Sequence, residues 1–456
     1  MQKEQDMFDL RIKDGTIVDE NGMYSADIYV KDGKISMLCT GTERYEASTT
    51  EDASGKLIFA GAVDSHMHIG EYQADFEDMQ TSTMAAAAGG VTTCIDMPLN
   101  LYTPSVLNAE AVALKKKLLL QESYVDFGIW GGLTPRSIPF LQDMHKSGAI
   151  SFKAFLSGGG NDFDAPSLGE VRRALMRIKD FDGLAGFHCE DASIISFEKE
   201  RILKETAGSR QDFLNSRPLS SELIATENMI ELARETKAKI HICHVSHPDV
   251  ARRIERAQDD GIDITAETCP HFLVFTEQDY LLKGCSYGCA PPLRSRESRD
   301  ELWEYVKKGV ISNIASDHSP GLLENRNDDY QTACQSGYGI SGVQTMFQTM
   351  FDQAVHKRNL SPTFLTRILS SNPAKRWGIY GKKGAIRVGF DADLVIFDPE
   401  KEWIIDQNQL FYKVKLTAFH GMRGKGSIEK TFLRGVSIYD GSGITVKKGF
   451  GKSVKG

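Results

Sequence analysis

Between residues 59 and 319 the chain repeats one unit, a short and nearly continuous apolar run followed by a segment of helical periodicity. About eight such runs occur: FAGAVDSHMHI, VTTCIDMP, YVDFGIWGG, ISFKAFL, LAGFHCE, KIHICHVS, IDITAETCP and ISNIASDHS. Helical patterning fills 105–121, 167–180, 220–236 and 248–259. Strands that are apolar on both faces need cover on both, which a parallel sheet wrapped by helices supplies. The repeat therefore predicts an α/β fold, a closed (β/α)8 TIM-like barrel, with an open doubly wound sheet as the alternative. Both ends of the chain read differently. FDLRI (8–12), ADIYV (26–30) and KISML (34–38) are short alternating segments separated by Asp-Gly turns, and the same texture returns at 393–398, 427–434 and 436–439. These predict one β-domain built from 1–58 and 378–456, with the barrel, 59–377, inserted between its halves.

Composition narrows the partners. The 54 Lys and Arg against 62 Asp and Glu leave a net charge of −8, with no basic stripe to serve a nucleic acid or an anionic membrane. No basic-then-apolar leader opens the sequence, and no window approaches the ~18 apolar residues a span requires, so cytoplasmic residence is expected. Of the eight cysteines, Cys94, Cys189, Cys243 and Cys269 sit in or beside apolar runs, where a free thiol behaves as a small hydrophobe. Cys285 and Cys289 have the spacing of a zinc clip, but no second close pair completes four ligands.

The informative polar residues are those at the C-terminal ends of apolar runs, the face on which a barrel carries chemistry. His66 and His68 are two apart on the first run, so they project to one side and can grip one ion; alone, they fit two structural histidines equally. Lys153 lies within ISFKAFL, where a free ammonium is costly to bury. Either it snorkels to the strand end, or burial lowers the amine pKa enough for reaction with CO₂. The resulting carbamate would offer one oxygen to each of two metals. His188 ends the fifth run, His244 the sixth, and Asp317 closes the eighth. His241 and His247 flank His244 at steps of three, where opposite strand parity predicts structural roles on the other face. Four histidines, a buried lysine and an aspartate at strand ends of one barrel predict a two-metal site, with Zn²⁺ first and Co²⁺, Mn²⁺ or Fe²⁺ also suited.

The stretches GAVDSHMH (61–68), GGVTT (89–93), FKAF (152–155), HICHVS (241–246), ETCPH (267–271), CAPPLR (289–294), SDHSP (316–320) and GFDADL (389–394) resemble the amidohydrolase superfamily over nearly the whole chain. The resemblance is to its cyclic amidase branch of hydantoinases, dihydropyrimidinases, dihydroorotases and allantoinases. It implies a distorted barrel beside a β-sandwich made by both termini, and two divalent ions bridged by N6-carboxylated Lys153. His66, His68 and Asp317 would hold one ion, and His188 and His244 the other. Asp317 would also move a proton from the attacking water to the leaving ring nitrogen. Ser319 and backbone groups near Ala290 and Tyr338 would orient a small cyclic ureide or amide; Ser319 equally suits a helix N-cap, and the two roles are compatible. The resemblance further implies a homotetramer.

Within the branch, DMPLN (96–100), RPLSSE (217–222) and GISGVQ (339–344) look most like allantoinases, which implies hydrolytic ring opening of allantoin to allantoate in purine catabolism. Ile69-Gly70 lacks the arginine that dihydroorotases place after H-x-H. Phe155-Leu156-Ser157-Gly158 lacks the substrate-facing tyrosine of dihydropyrimidinases and hydantoinases. One segment departs from the allantoinase pattern: EYQADFED (71–78) replaces the expected Glu-Pro-Gly and Trp-Glu-Gly stretch and is one residue shorter. Non-enzymatic dihydropyrimidinase-like scaffolds share the architecture but lack much of the ligand set, which is complete here.

Overall fold

The computed structural model describes residues 7–71, 74–100, 103–160, 162–206, 209–321 and 339–455. At its centre eight parallel strands pair in chain order: Ala62–Met67, Val91–Asp96, Asp126–Gly132, Ala149–Phe155, Leu184–His188, Lys239–Ile242, Ile264–Thr268 and Asn313–Ile314. The first and last are joined where the eighth segment continues past its strand. Met67 bridges His318 in parallel, the His68 N–H donates to the His318 carbonyl at 3.0 Å, and the Ser316 N–H donates to the Asp64 carboxylate at 3.0 Å. These contacts close the sheet, so the barrel holds and the open-sheet alternative does not.

The expected helices lie between the strands. Leu168–Asp180 begins at a capping box in which Ser167 and Glu170 satisfy each other's backbone N–H, and it buries Val171, Ala174, Leu175 and Ile178, one stripe at helical spacing. The helix expected from residue 105 starts later, as Ala109–Glu122. The Asn108 side chain accepts the Ala111 N–H and sets the cap there, while Val106 N–H is tied back to the Pro98 carbonyl. His247 is the N-cap of Pro248–Asp259: its Nδ1 accepts the Asp249 N–H at 3.1 Å and its Nε2 lies 3.0 Å from Ser298 Oγ.

This cap requires a neutral ring. Burial, then the Arg294 guanidinium, lowers the His247 pKa to about 4. As pH falls through about 6.5 the unfolded chain takes up this proton first, so stability is lost between about pH 6.5 and 4. A shift of that size is worth about 3 kcal/mol in a sealed site, and about 1–2 kcal/mol for a ring this open to water. Melting curves across that window are expected to show a shallower acid-side loss for His247→Asn, which keeps an N-cap acceptor but does not titrate.

The terminal segments form two further sheets. One has the order Lys34–Cys39, Asp27–Lys31, Phe8–Lys13, Ala47–Asp52. The other mixes both ends of the chain, in the order Val436–Tyr439, Arg423–Leu433, Leu394–Ile404, Leu57–Ala60, Thr16–Val18, Met23–Ser25. They share an apolar core that includes Leu10, Ile12, Ile28, Ile58, Leu394 and Phe432. The apolar run from residue 59, read from sequence as one strand, is divided at Gly61. Its first part pairs antiparallel with Leu394–Ile404 and its second part enters the barrel. A Cβ at Gly61 would lie 2.2 Å from Thr92 Oγ1, so only glycine lets the chain pass between sheets there. Among the described residues, no helix is long and apolar enough to cross a membrane.

Candidate metal centre

His66, Lys153 and His188 stand on barrel strands, His68 directly follows the first strand, and His244 and Asp317 follow the sixth and eighth. His66 Nδ1 lies 2.6 Å from Glu267 Oε1, which fixes the proton on that nitrogen and leaves the Nε2 lone pair free. Asp317 Oδ1 is 3.2 Å from His66 Nε2 and 3.6 Å from His68 Nε2. Ligand atoms of these three residues all lie within 4.8 Å of one another. Ring centroids continue the cluster, with His66 to His244 at 5.3 Å and His244 to His188 at 4.6 Å. Lys153 is central, since its charge acts on His66, His68, His188, His244 and Asp317 alike. The structure therefore brings together all six residues picked out by their strand-end positions.

Two of them are placed by means other than a regular strand end. The sixth strand stops at Ile242 and the eighth at Ile314, so His244 and Asp317 lie beyond their strands, with φ of 37° and 44°. Left-handed backbone is unfavourable for a non-glycine residue and is held here by its surroundings. The parity argument for His241 fails for the same reason. Within the strand, His241 points into the barrel, its Nε2 3.2 Å from Glu267 Oε2, its Nδ1 2.8 Å from Thr265 Oγ1 and its ring 4.9 Å from that of Trp377. Alternation cannot be carried from His241 to His244 once the chain has left the strand and turned.

The electrostatics suit cations. Burial, then Lys153, lowers the His66 pKa to about 4, and burial puts His68 and His244 well below the usual imidazole range, so the rings are neutral donors. Burial pushes the Asp317 carboxyl up to about 8; Lys153 opposes this, while Glu267 and Asp64 add to it. Lys153 Nζ and His244 Nδ1 are buried without a hydrogen bond of ordinary geometry. Such orphaned groups need a reason, and neutral imidazoles, a carboxylate and a lysine able to become a carbamate form a donor set that fits two divalent ions. Neither Cys285 nor Cys289 forms a disulfide, and neither belongs to any of the possible metal groups among the described residues.

Sequence reasoning missed the carboxylates behind the rings. Glu267 and Glu190, which lies 2.7 Å from His188 Nε2, are both fully buried. Glu267 stands in the seventh apolar run as Lys153 stands in the fourth, so the same signal was present. Of the expected substrate contacts, Ser319 N–H donates to the Ile340 carbonyl at 3.3 Å, and Gly339 N–H donates to the Gly288 carbonyl at 3.0 Å. A Cβ on Gly339 would meet the Ser319 carbonyl at 2.2 Å. The segment after the eighth strand, the 288–290 loop and the 339–340 segment thus adjoin one another. Tyr338 lies outside the described residues, as do Tyr72 and Gln73 of the atypical loop and any helix that Ser319 would cap beyond Gly321.

Gly70 leaves no room for the arginine of the dihydroorotase pattern. Its φ is +93°, and a Cβ there would lie 2.6 Å from the Glu77 carbonyl oxygen. Gly70→Ala is expected to cost roughly 2–4 kcal/mol through strain and overlap, read as a lowered urea midpoint.

Residues 57–438 match the amidohydrolase family. The chain belongs to that family. This amidohydrolase is 34% identical over 439 residues to the allantoinase of Rubrobacter xylanophilus, covering 96% of this chain and 95% of that protein. It is 33% identical over 455 residues to the allantoinase of Escherichia coli O1:K1 / APEC, covering 98% of each. Among solved structures, the amidohydrolase superposes on the L-hydantoinase (dihydropyrimidinase) of Arthrobacter aurescens with a TM-score of 0.95 at 32% identity, over 98% of this chain and 100% of that one. A D-hydantoinase matches with a TM-score of 0.89 at 29% identity, over 98% of this chain and 100% of the other.

Proposed function

We propose that this amidohydrolase hydrolyses the ring amide of allantoin to give allantoate, a step of purine-derived ureide breakdown. The observation that carries the reading is identity of 33–34% with allantoinases over nearly the full length of both chains. The closed Gly70 corner, which has no space for an arginine side chain, disfavours dihydroorotate.

His66, His68 and Asp317 would hold one divalent ion and His188 and His244 a second, with carboxylated Lys153 between them. Zn²⁺ comes first, and Co²⁺, Mn²⁺ or Fe²⁺ also suit the donors. When bound, such ions lower the pKa of water and polarise a carbonyl oxygen. Asp317, aimed at the same space as His66 Nε2, takes the proton from the attacking water and passes it to the ring nitrogen as the C–N bond breaks. Ser319 and main-chain groups at Ala290 and Tyr338 orient the ring through its N–H and C=O groups. The buried Phe155 ring, 5.6 Å from that of His188, offers this space an apolar wall without a hydroxyl. In this reading residues 59–377 are the catalytic unit, with 1–58 and 378–456 the β-sandwich beside it. The enzyme works on small molecules in the cytoplasm as a homotetramer, without a nucleic-acid or membrane partner.

The superposition on an L-hydantoinase supports a second reading, a cyclic amidase acting on hydantoin or dihydrouracil. Assay of the purified protein on allantoin, hydantoin, dihydrouracil and dihydroorotate separates the two. The expected result is the highest kcat/KM for allantoin, and clear preference for any other ring would overturn the substrate assignment. A metal-free protein inert on all four would instead be a scaffold.

A further inference from the structure

Two buried carboxylates stand behind the histidines, and their surroundings differ. Glu267 reaches His66 Nδ1 at 2.6 Å through one oxygen. Its other oxygen lies 2.7 Å from Ser65 Oγ, 3.2 Å from His241 Nε2 and 3.3 Å from Asn313 Nδ2. Among the described residues no lysine or arginine bonds to it. Glu190 reaches His188 Nε2 at 2.7 Å through the same oxygen that takes a hydrogen bond from the Arg217 guanidinium, and Arg294 also acts on it. The two rings are consequently held in opposite tautomers. His66 donates from Nδ1 and keeps the Nε2 lone pair, while His188 donates from Nε2 and keeps the Nδ1 lone pair.

We propose that Glu267 and Glu190 are positioning residues for the two metal subsites, and that the ion on the His66 side is the more tightly held because Glu267 keeps its charge while Arg217 offsets that of Glu190. The inference rests on the two-ion reading above and extends it to an asymmetry between the ions. A carboxylate behind an imidazole raises the basicity of the ring nitrogen facing the metal. It also compensates the positive charge an ion brings into a site closed to water. An adjoining guanidinium reduces both effects, and it does so only at Glu190. Glu267 is in addition braced by side chains from three other strands, which holds it in place when the ion leaves.

The test is equilibrium dialysis of the whole protein, carboxylated in bicarbonate buffer, against a series of free Co²⁺ concentrations with the bound ion counted. Wild type is expected to hold two ions with distinct affinities. Glu267→Gln, which can still accept the His66 Nδ1–H but lacks the charge, is expected to weaken the tighter ion by roughly 10–100-fold and leave the other within about threefold. Glu190→Gln is expected to weaken only the looser ion, and by less than about tenfold. Glu267→Asp keeps the charge and is expected to recover most of the loss. It also serves if the Gln variant does not fold, as judged by the melting temperature of the metal-free protein. The proposal is overturned if Glu190→Gln weakens the tighter ion, if both variants weaken the same ion, or if neither changes either affinity. Wild-type protein that binds no Co²⁺ would instead strike the two-ion reading itself.

Discussion

Lys153→Ala is expected to strip the protein of metal and lower kcat/KM by more than roughly 10³-fold, about 4 kcal/mol of barrier. Lys153 is fully buried, lacks a hydrogen bond of ordinary geometry and lies among five candidate ligands, with Phe155 at 5.0 Å on its apolar side. Short carboxylic acids such as acetate are expected to restore part of the activity, because the shortened side chain leaves space where a free carboxylate can stand in for the carbamate. The stability of the metal-free protein separates this role from a structural one. An ammonium without a carboxylate partner in this interior costs free energy, so Lys153→Met, similar in length but uncharged, is expected to stabilise the chelated protein by roughly 1–3 kcal/mol, read as a raised urea midpoint, while abolishing metal binding. Full activity in Lys153→Ala would refute the bridge. A large loss of metal-free stability in Lys153→Met would mark a structural lysine.

Asp317→Asn is expected to lower kcat by roughly 10²–10⁴-fold, the usual contribution of a positioned acid or base, with KM changing far less. Asparagine is the informative substitution because it tolerates left-handed backbone, and the φ of Asp317 is 44°. Alanine there would add strain and confuse a chemical loss with a folding one. Asparagine also keeps an oxygen that can remain near His66 and His68, but it cannot accept and return a proton near neutral pH. Steady-state kinetics with metal analysis on the same sample decide the matter. Loss of activity at preserved metal content supports the proton-transfer role, whereas unchanged kcat removes Asp317 from it.

Much of this site could be read along the chain because apolar runs make their exceptions visible. His66, Lys153 and His188 stand inside strands whose other residues are buried and mostly apolar, and each interruption marked a side chain with a reason to be there. The same logic applied to Glu267 in Ile264–Thr268, but one carboxylate in a run carries no record of the ring it meets. Its partner His66 is 201 residues away in sequence. The His241 error had a different source: period-two alternation holds only while the backbone stays extended, and this strand ends at Ile242.

The barrel, the mixed β-sheet and the candidate ligand types followed from local rules, since apolar periodicity and turn residues act over a few positions. Pairing across the barrel mouth did not follow from them. Closure through Asp64 and Ser316, the left-handed turns that aim His244 and Asp317, and the choice of which ring nitrogen each carboxylate leaves free all depend on groups brought together from distant segments. Folding is needed to set these distances, because a hydrogen bond to a buried ring depends on its partner's position to within a few tenths of an ångström.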